Sequence, residues 1–427
     1  MKLAKIKKLS LKTYAIALII AFFVGLVLGG AIVYSQSSNE NITIVSGSFT
    51  ETASYVIFKV GDTIYAKNGT TGEIEYSGTN ASYVINQAIT STHLKGGGTV
   101  FLKAGEYVID SSIIIKEKVS LVGEMESKVG SAVTVIKRGT GFTGALLKTE
   151  VTYVDSLEDN TQDIKIKNLI FNGNNEGVCL NLTNVDTCVV EECRIAYCEY
   201  AVWLGYYGDQ TNDAVYPGDV RIINCRIHAT EIAIYVERNL GDYFRDLKVS
   251  DANYILYIKC SKIIFVEGCS FYNFQTAAIK LEDDSNEHLE SIIIQGNRFY
   301  TTHSAKYITI TKVHSSTSRI SINDNVFSYS ALDRPDTFDL PKISYSSFRG
   351  NTGYHAMSEQ SGTVTFSGTS YTFYHNLAKA PTLVLVSFNT TSHGGYTWTA
   401  TDTQITITVQ NSGNYKAYWY AEYNPFS

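Results

Sequence analysis

The sequence predicts an all-β protein: a β-solenoid preceded by one N-terminal transmembrane helix and followed by a small antiparallel β-sandwich. Residues that suit a pleated, half-buried surface dominate long stretches, with 30 Tyr but only 5 Pro and 3 Met among 427 residues. A strand motif recurs through the middle of the chain, and an apolar run stands near its start. The chain is long for one compact core, whereas a solenoid grows along one axis.

The charge distribution argues against a nucleic-acid partner. The formal net charge is −6, and no basic stripe occurs after the first dozen residues. A nucleic-acid-binding face needs clustered Lys and Arg to contact phosphates, so no nucleic acid is expected as a partner.

The apolar run at residues 14–34, YAIALIIAFFVGLVLGGAIVY, follows five lysines. As a helix it spans roughly 30 Å, the thickness of a bilayer core. We predict a basic cytoplasmic N-terminus at 1–12 and an uncleaved signal anchor at 13–34, with the rest of the chain outside the cell. A cleaved signal peptide, which would give a secreted protein, and a buried soluble helix are the alternatives; the run ends AIVYSQS and lacks a small-x-small cleavage site.

Two further features concern export. Glycan-acceptor triplets of the form Asn-x-Ser/Thr, expected in an exported glycoprotein, occur at Asn41, Asn68, Asn80, Asn181 and Asn389. All seven cysteines lie between residues 179 and 269, and their odd number argues against a complete disulfide framework.

The region after the anchor divides into a linker and a small β module. Residues 35–54 are polar with scattered apolar positions, which predicts a linker. Residues 55–79 predict the β module, because short alternating runs flank the hairpin-turn signal Asn68-Gly69.

A short helix is predicted at residues 80–90. It would present one apolar face, made of Val84, Ile85, Ala88 and Ile89. Asn80 stands where a helix N-cap is expected.

The strand motif consists of a short apolar strand, a polar pair, one spacer and then Ile or Phe. It recurs in IKIKNLI (164–170), CVVEECRI (188–195), RIINCRI (221–227), IIFVEGCSF (263–271), IIIQGNRF (292–299) and ISINDNVF (320–327). The equivalent Asn or Cys falls at 168, 193, 225, 269, 297 and 325, with spacings of 25, 32, 44, 28 and 28 residues. This period predicts stacked coils that each advance a rod by about 4.8 Å. The 44-residue spacing has room for one hidden coil.

The shared position of Cys193, Cys225 and Cys269 with Asn168, Asn297 and Asn325 predicts an internal ladder. Small buried residues would stack there, and the Asn amides would hydrogen-bond along the stack. No CxxC pair occurs, which disfavours a zinc site or a catalytic thiol.

Three stretches carry a family resemblance: GGGTVFLKAGEYVI (96–109) behind the predicted helix, SIIIKEKVSLVGE (112–124) and IKNLIFNGNN (166–175). They resemble the opening coils of the pectin lyase-like superfamily of right-handed parallel β-helices. The resemblance implies a β-helix over residues 80–357, whose first open edge is capped by the helix. Gly96 to Gly98 would let the chain swing from this cap into the first strand.

The C-terminal residues 358–427 predict the sandwich, with about six alternating strands. HNLAKAPTLVLVS (375–387) and AYWYAEY (417–423) resemble lectin-like modules of β-helical surface and viral fibre proteins. Turn or core roles are expected for His375 and His393. Trp398, Trp419, Tyr418 and Tyr420 could form a glycan platform, but strand alternation puts one of Trp419 and Tyr420 inside.

The catalytic motifs of the superfamily are not matched. Polygalacturonase-like members use Asn-Thr-Asp, Asp-Asp, Gly-His-Gly and Arg-Ile-Lys, of which only Asp283-Asp284 occurs here, in an acidic stretch with His288 (280–290) that predicts a solvated turn. The Trp-Ile-Asp-His stretch of pectate lyase-like members is absent. The catalytic residues are thus unknown, and lyase or glycoside hydrolase activity stays an open alternative.

Two long loops, 205–219 and 237–254, are the candidate site. Substrate-binding candidates are Tyr206, Tyr207, Tyr216, Tyr243, Asp209 and Asp213, whose rings would stack on sugars while carboxylates bond hydroxyls. Asp242, Arg245 and Asp246 are the catalytic candidates, and this group could instead hold Ca²⁺; no other cofactor or metal is expected. Ordinary solvated loops are the alternative.

The predicted function is that of a membrane-anchored surface protein that binds, and in one alternative cleaves, a polysaccharide or cell-surface glycan. The other hypothesis is a structural rod, spike or adhesin subunit that presents its C-terminal domain to a partner. That hypothesis includes a homotrimer and predicts an apolar, ungrooved lateral face.

Overall fold

The computed structural model describes residues 53–125, 133–150, 160–208, 216–329, 338–353 and 356–426. The predicted anchor at 13–34 lies outside these residues. Within them, no helix is both long and apolar enough to cross a membrane.

The described residues form one helix and 34 strands. The described part of the chain begins with β1 (Tyr55–Val60), β2 (Thr63–Asn68), β3 (Ile74–Gly78) and helix α1 (Ala81–Leu94). The first coils contain β4 (Gly98–Leu102), β5 (Gly105–Ile109), β6 (Ile113–Ile114), β7 (Val119–Gly123), β8 (Thr134–Arg138), β9 (Leu147–Lys148), β10 (Thr161–Lys167), β11 (Ile170–Asn172) and β12 (Val178–Asn181).

The middle coils contain β13 (Val185–Glu191), β14 (Arg194–Leu204), β15 (Arg221–Ile223), β16 (Arg226–Glu237), β17 (Tyr243–Arg245), β18 (Lys248–Ser250), β19 (Tyr254–Lys259), β20 (Lys262–Glu267), β21 (Ser270–Tyr272) and β22 (Ala277–Glu282). The last coils contain β23 (Glu290–Gln295), β24 (Arg298–Thr301), β25 (Lys306–Thr311), β26 (Ser321–Asn323), β27 (Val326–Tyr329), β28 (Phe338–Asp339), β29 (Ser347–Arg349) and β30 (Thr352–Gly353). The C-terminal strands are β31 (Glu359–Tyr374), β32 (Leu383–Phe388), β33 (Tyr396–Ala400) and β34 (Gln404–Glu422).

The coils stack as a parallel β-helix. The first strands of successive coils pair in parallel from β4 through β7, β10, β13, β15, β17, β20, β23 and β26 to β29, and we call this sheet A. The later strands also pair coil to coil, and the last strand of each coil builds what we call the third wall: β12, the C-terminal parts of β14 and β16, then β19, β22 and β25. Side chains alternate between the core and the surface along each strand. In β10, for example, Ile164 and Ile166 are buried while Lys165 and Lys167 face outward.

The internal ladder is confirmed, with two corrections. Asn297 Nδ2 donates to Asn325 Oδ1 over 3.1 Å, Asn325 Nδ2 donates to Asn351 Oδ1 over 3.1 Å, and Cys193 and Cys225 continue the stack. Asn168 was wrongly placed in the ladder: it is the left-handed turn residue (φ 57°), and the buried Leu169 takes the ladder position.

The second correction concerns residues 237–254, which are a coil and not a loop. Leu247 is the ladder residue there, 22 positions from both Cys225 and Cys269, so the 44-residue spacing contains two coils. The left-handed turn residue before it is Asp246 (φ 55°).

The N-terminal end of the rod is covered by β1 and α1. β1 pairs in parallel with β4 and antiparallel with β2, so the small β module extends sheet A. Asn80 caps α1 by accepting from Tyr83 N over 2.8 Å. On the helix, Asn86 accepts from Ile114 N and donates to Ser112 O, so its amide replaces a neighbouring strand at the first open edge.

The C-terminal region is an antiparallel sheet of four strands, where about six were expected. β31 and β34 are long and pair with each other. The C-terminal half of β34 also pairs with β32, and its N-terminal half pairs with β33, so the sheet has two halves. The halves pack face to face, because Phe373 from one contacts Trp419 from the other with ring centroids 4.8 Å apart. Trp419 is buried while Tyr418 is 46% exposed, as strand alternation requires. The buried His375 has a core role.

Candidate functional site

An aromatic row crosses the outer face of the third wall. Trp203, Tyr235 and Tyr257 occupy one register position in three successive coils. They lie on the outer side of the strands because their strand neighbours, such as Val202 and Leu204, point into the core. Tyr235 is nevertheless only 9% exposed, because its ring lies between those of Trp203 and Tyr257. Ring centroids lie 4.4 Å apart for Trp203 and Tyr235, and 5.3 Å apart for Tyr235 and Tyr257.

Further rings and a lysine widen this row. Tyr200 contacts Trp203 at 5.6 Å, and Tyr254 contacts Tyr257 at 5.8 Å between centroids. In the next coil Lys280 takes the register position after Tyr257, and its Nζ lies 4.2 Å from the Tyr257 ring centroid. We call these six residues the aromatic face.

A row of alternating charge runs beside the aromatic row on the same strands. Its members in successive coils are Glu237, Lys259 and Glu282. Tyr235 donates its hydroxyl to Glu237 over 2.9 Å, and Tyr257 donates to Glu282 over 2.7 Å. Each phenol is therefore held in place by a carboxylate of the charge row.

Glu282 is an anion at any physiological pH. It is buried at 4% exposure, which by itself would raise the pKa of its carboxyl. Hydrogen bonds from Lys280 and Lys312, each 2.6 Å long, and from Tyr257 outweigh burial and lower this pKa to about 2. A carboxyl with so low a pKa is unsuited to donate a proton as a general acid.

Arg238 follows Glu237 of the charge row and pairs with acidic side chains there. Its guanidinium is buried and bonds to Glu237 over 3.0 Å and to Asp284. Burial acts to lower the pKa of Arg238, but Asp284 and Glu237, with smaller effects from Cys260 and Tyr216, raise it overall. Tyr216 therefore lies near this ion pair.

The Asp283-Asp284 pair has a structural explanation. Asp283 is fully buried and accepts from Leu289 N and His314 N, both over 2.7 Å, and from the Thr317 hydroxyl. It thereby holds two successive corner segments together. Asp284 neutralises Arg238, so the match to the polygalacturonase-like motif marks no free pair of carboxylates.

The described residues after β14 contain three of the predicted tyrosines, of which Tyr216 is buried. Tyr206 and Tyr216 meet there with ring centroids 4.9 Å apart. Asn184 fixes the backbone of Tyr207 by accepting from its N over 2.7 Å and donating to its O over 2.8 Å, which leaves the Tyr207 side chain 52% exposed. The predicted positions 209 and 213 lie outside the described residues.

The other predicted site residues lie elsewhere. Tyr243 is on sheet A, where its ring stacks on Phe265 at 4.5 Å. Asp242 is fully buried and accepts from Val220 N over 3.1 Å, whereas Arg245 is exposed and bonds to Glu267 over 2.7 Å. Asp246 is an exposed turn residue. The structure does not bring all three to one side of the wall: Asp242 points into the core, whereas Arg245 and Asp246 are both exposed.

Two further predictions from the sequence concern metal binding and glycosylation. Across the described ranges, no group of three or more His, Cys, Asp and Glu side chains could hold a metal ion. Asn68 is buried, and its Oδ1 accepts from Thr70 N and Thr71 N over 2.8 and 3.2 Å. This amide shapes a turn and is inaccessible to a glycan in the folded protein.

The sequence places the chain among known β-helix proteins. Residues 68–302, more than half of the chain, match the family described as Rhamnogalacturonase A/epimerase, pectate lyase-like. The chain belongs to this family. The match includes all six residues of the aromatic face, and the resemblance to the pectin lyase-like superfamily is confirmed. No curated protein sequence matches this member of the rhamnogalacturonase A/epimerase, pectate lyase-like family.

Solved structures with similar folds share little sequence with this family member. ORF18 of Geobacillus virus E2 has 14% identity over 82% of this chain and 84% of its own, with a TM-score of 0.48. The tailspike gp61 of Pseudomonas phage phi297 has 11% identity over 80% and 92%, with a TM-score of 0.33. The Streptococcus pneumoniae surface protein and adhesin PfbA has 12% identity over 62% and 85%, with a TM-score of 0.41. Because these scores are below 0.5, no property of these proteins is transferred to this chain.

The sequence did contain a signal for the aromatic face. Trp203, Tyr235 and Tyr257 are spaced by 32 and 22 residues, as are the ladder residues Cys193, Cys225 and Leu247. Aligning the coils on the correct ladder position would have placed the three rings in one row. The hidden coil at Leu247 concealed this alignment.

Proposed function

We propose that the protein binds a polysaccharide along the aromatic face of its β-helix. The observation that carries this proposal is the outward row of Trp203, Tyr235 and Tyr257 in three successive coils, beside the charge row of Glu237, Lys259 and Glu282. Sugar rings present apolar faces that stack on aromatic rings, and their hydroxyls suit carboxylates and ammonium groups.

The geometry favours an extended ligand that follows the rod axis. Successive coils lie about 4.8 Å apart, so the accessible rings of Trp203 and Tyr257 are separated by about two coil spacings along the rod, with the buried Tyr235 between them. The rings are fixed before a ligand arrives, because Tyr235 and Tyr257 are bonded to Glu237 and Glu282. A preformed site loses little conformational freedom on binding.

Binding without cleavage is the better-supported form of this proposal. Glycoside hydrolysis needs one carboxyl that donates a proton and a second one that acts as base or nucleophile. Glu282 has a pKa of about 2, and Glu237 is bonded to Lys259 and Arg238. Both carboxylates therefore serve as hydrogen-bond acceptors. Calcium as a cofactor stays a prediction from the sequence.

We also propose that residues 13–34 anchor the rod in the cell membrane, with the bulk of the chain outside. Support comes from the lysine-flanked apolar run, which satisfies the length and charge requirements of a signal anchor. Protease protection of intact cells tests this orientation: protease added outside should remove the β-helix and leave only the N-terminal segment.

The binding proposal is tested on an array of pectic and other polysaccharides, with new reducing ends and unsaturated uronates measured in parallel. The double variant Trp203→Ala, Tyr257→Ala should lose affinity roughly tenfold or more, because each ring contributes about 0.5–1.5 kcal/mol beyond its area burial. Tyr272 and Tyr300 provide the control, since they form an exposed ring pair outside the third wall. Equal loss in the double variant Tyr272→Ala, Tyr300→Ala would contradict the assignment.

A structural rod that presents its C-terminal sandwich is the second candidate. The observation in its favour is a group of exposed apolar residues on one face of the sheet, Leu383, Leu385 and Tyr418, which are 41%, 54% and 46% exposed. If the array shows no binding, Leu385→Ser with Tyr418→Ser becomes the variant to test for cell attachment. The homotrimer expected with this function stays a prediction.

A further inference from the structure

Acidic side chains border the aromatic face along both of its edges. One edge is the charge row, which contains Glu237 and Glu282. On the opposite edge, Glu199 and Glu231 each stand directly before the register position of Tyr200, and both are exposed. A ligand that covers the rings therefore lies between two sets of carboxylates.

The lysines that adjoin the face are paired with carboxylates of the charge row. Lys259 Nζ lies 2.7 Å from a carboxylate oxygen of Glu237. Lys280 and Lys312 both bond to Glu282, each over 2.6 Å. These ammonium groups already balance the charge of the carboxylates beside them, so none of the three is an unpaired cation that could receive a charged ligand.

Arg238 is a further cation at this edge, and its side chain is only 8% exposed. It bonds to Glu237 over 3.0 Å and to Asp284. Around the aromatic face, carboxylates outnumber cations: the carboxylates are Glu199, Glu231, Glu237, Glu282 and Asp284, and the cations are Arg238, Lys259, Lys280 and Lys312.

The wall beyond the two ends of the face adds no cluster of one sign. Toward the N-terminal end of the rod, Asn181 separates Lys148 from Trp203. Toward the other end, the next two coils hold Lys306 and then Asp339, which are opposite in sign. Over this wider length the charges of the two signs balance.

We infer that the sugars bound over the aromatic face are uncharged, so the ligand is a neutral polysaccharide and not a polymer of uronic acids. This inference rests on the proposed polysaccharide binding and narrows its substrate class. A uronate carboxylate at the face would lose water without gaining an unpaired cation, and it would lie beside Glu237 or Glu282. Neutral hydroxyls avoid both costs. Each hydroxyl can donate to a carboxylate and accept from a lysine, and the charge row offers the two in alternation.

Polymers that differ only in charge test the inference. A panel of uronic-acid polysaccharides is titrated against the full-length chain in neutral detergent, each polymer before and after chemical reduction of its carboxyls to primary alcohols. The two forms share their backbone and linkages. At low salt the reduced forms should bind at least about tenfold more tightly, because only the parent forms bring like charges together at the face. Added sodium chloride should leave the binding of the reduced forms unchanged, since they form no ion pair with the protein.

The outcomes separate the inference from the proposal on which it rests. A parent polymer that binds at least as tightly as its reduced form would overturn the inference and leave polysaccharide binding intact. Absence of binding to every polymer, the neutral members of the array included, would refute polysaccharide binding itself. If the double variant Trp203→Ala, Tyr257→Ala bound the reduced polymers with unchanged affinity, the sugars would lie elsewhere, which would overturn both.

A charge variant tests the physical cause. Glu237→Gln keeps an acceptor for the Tyr235 hydroxyl but removes the charge that Lys259 and Arg238 share. It should bind the parent polymers about tenfold more tightly than the wild type at low salt and lose this gain at high salt. Glu267→Gln is the matched control, since Glu267 bonds to an arginine on sheet A, and it should leave both affinities unchanged.

Circular dichroism verifies that both glutamine variants are folded. No gain in a folded Glu237→Gln protein, or an equal gain in Glu267→Gln, would contradict the inference. The comparison of parent and reduced polymers needs only the wild-type chain, so it decides the inference even if Glu237→Gln does not fold.

Discussion

Asn297 bonds to Asn325 of the next coil twice: Asn297 N and Asn297 Nδ2 both donate to Asn325 Oδ1, over 3.0 and 3.1 Å. Asn325 Nδ2 in turn donates to Ile294 O over 2.9 Å. Both amides are fully buried. The ladder therefore satisfies backbone groups at the corner where sheet A ends, and each rung depends on the next.

Removing one Asn of the ladder should lower the stability of the protein substantially. Asn325→Ala should lower the free energy of unfolding by about 2–4 kcal/mol, because the N–H and Nδ2 of Asn297 lose their shared acceptor inside the core. Asn323→Ala is the control, since Asn323 ends β26 two residues before Asn325 and its side chain bonds to Ser347 and Arg349 N outside the core. Urea unfolding followed by circular dichroism measures both. Equal midpoints for the two variants would show that the ladder does not contribute.

Because the carboxyl of Asp242 is buried, we expect the free energy of unfolding to fall as the pH rises. Complete burial, with smaller contributions from Asp219 and Asp186, raises the pKa of this carboxyl from 3.8 to about 7. Below about pH 4 both folded and unfolded chains hold the proton. Between pH 4 and 7 only the folded chain holds it, so the free energy of unfolding declines, by on the order of 4 kcal/mol at most.

Asp242→Asn should remove this dependence, because the amide stays neutral and can still accept from Val220 N. The variant should match the wild type near pH 4 and exceed it in stability at pH 8. Asp246→Asn, at an exposed position in the same coil, should leave the pH profile unchanged. Thermal unfolding from pH 4 to 8 measures the three proteins, and parallel profiles for wild type and Asp242→Asn would contradict the assignment.

The repeat made the fold predictable, and its irregularities limited the site prediction. Regular spacing and alternation identified the β-helix and its buried ladder, because each coil must repeat the same inward pattern. The ladder register failed at Asn168, since Asn suits both a left-handed turn and a hydrogen-bonding stack. It failed again at Leu247, because an apolar residue in the ladder position lacks the Asn or Cys signature. Because the coil at Leu247 was not recognised in the sequence, residues 237–254 were interpreted as a loop and Tyr243 was not assigned to sheet A.

The sequence alone could not show which side chains of adjacent coils contact one another. Glu282 contacts Lys280 on its own strand, but also Tyr257 in the preceding coil and Lys312 after the following strand. Coils differ in length, so these partners have no fixed sequence separation. The aromatic face arises from this coil-to-coil register and not from any short motif.

Glu282 gives the opposite pH dependence from Asp242. Its pKa is lowered from 4.5 to about 2 by Lys280, Lys312 and Tyr257, despite burial. The resulting stability is complete above about pH 5 and is lost as the pH falls toward 2. Glu282→Gln should lower the free energy of unfolding by roughly 1–3 kcal/mol at pH 7 and by much less at pH 2.5. A constant difference between these two pH values would rule out the ion pairs as the cause.

We expect a side chain at position 97 to cause local unfolding at the end of the rod that α1 covers. Its φ is +103°, and a Cβ atom added there would lie 2.5 Å from Lys118 O, a backbone atom of the next coil. Gly97→Ala should therefore displace β4 from β7 and destabilise this end by about 2 kcal/mol or more. Gly61 is the matched control: its φ is also positive, at +58°, but nothing lies within 4 Å of the added Cβ.

Hydrogen exchange measures this effect residue by residue. Because each coil of a solenoid contacts only its neighbours, the end coil can open while the middle of the rod stays folded. Gly97→Ala should speed exchange in α1, β4 and β7 roughly thirtyfold, the factor that 2 kcal/mol gives, and leave β20 and β23 unchanged. Gly61→Ala should leave β4 and β7 protected. Uniform acceleration along the whole rod would instead show that the β-helix unfolds as one cooperative unit.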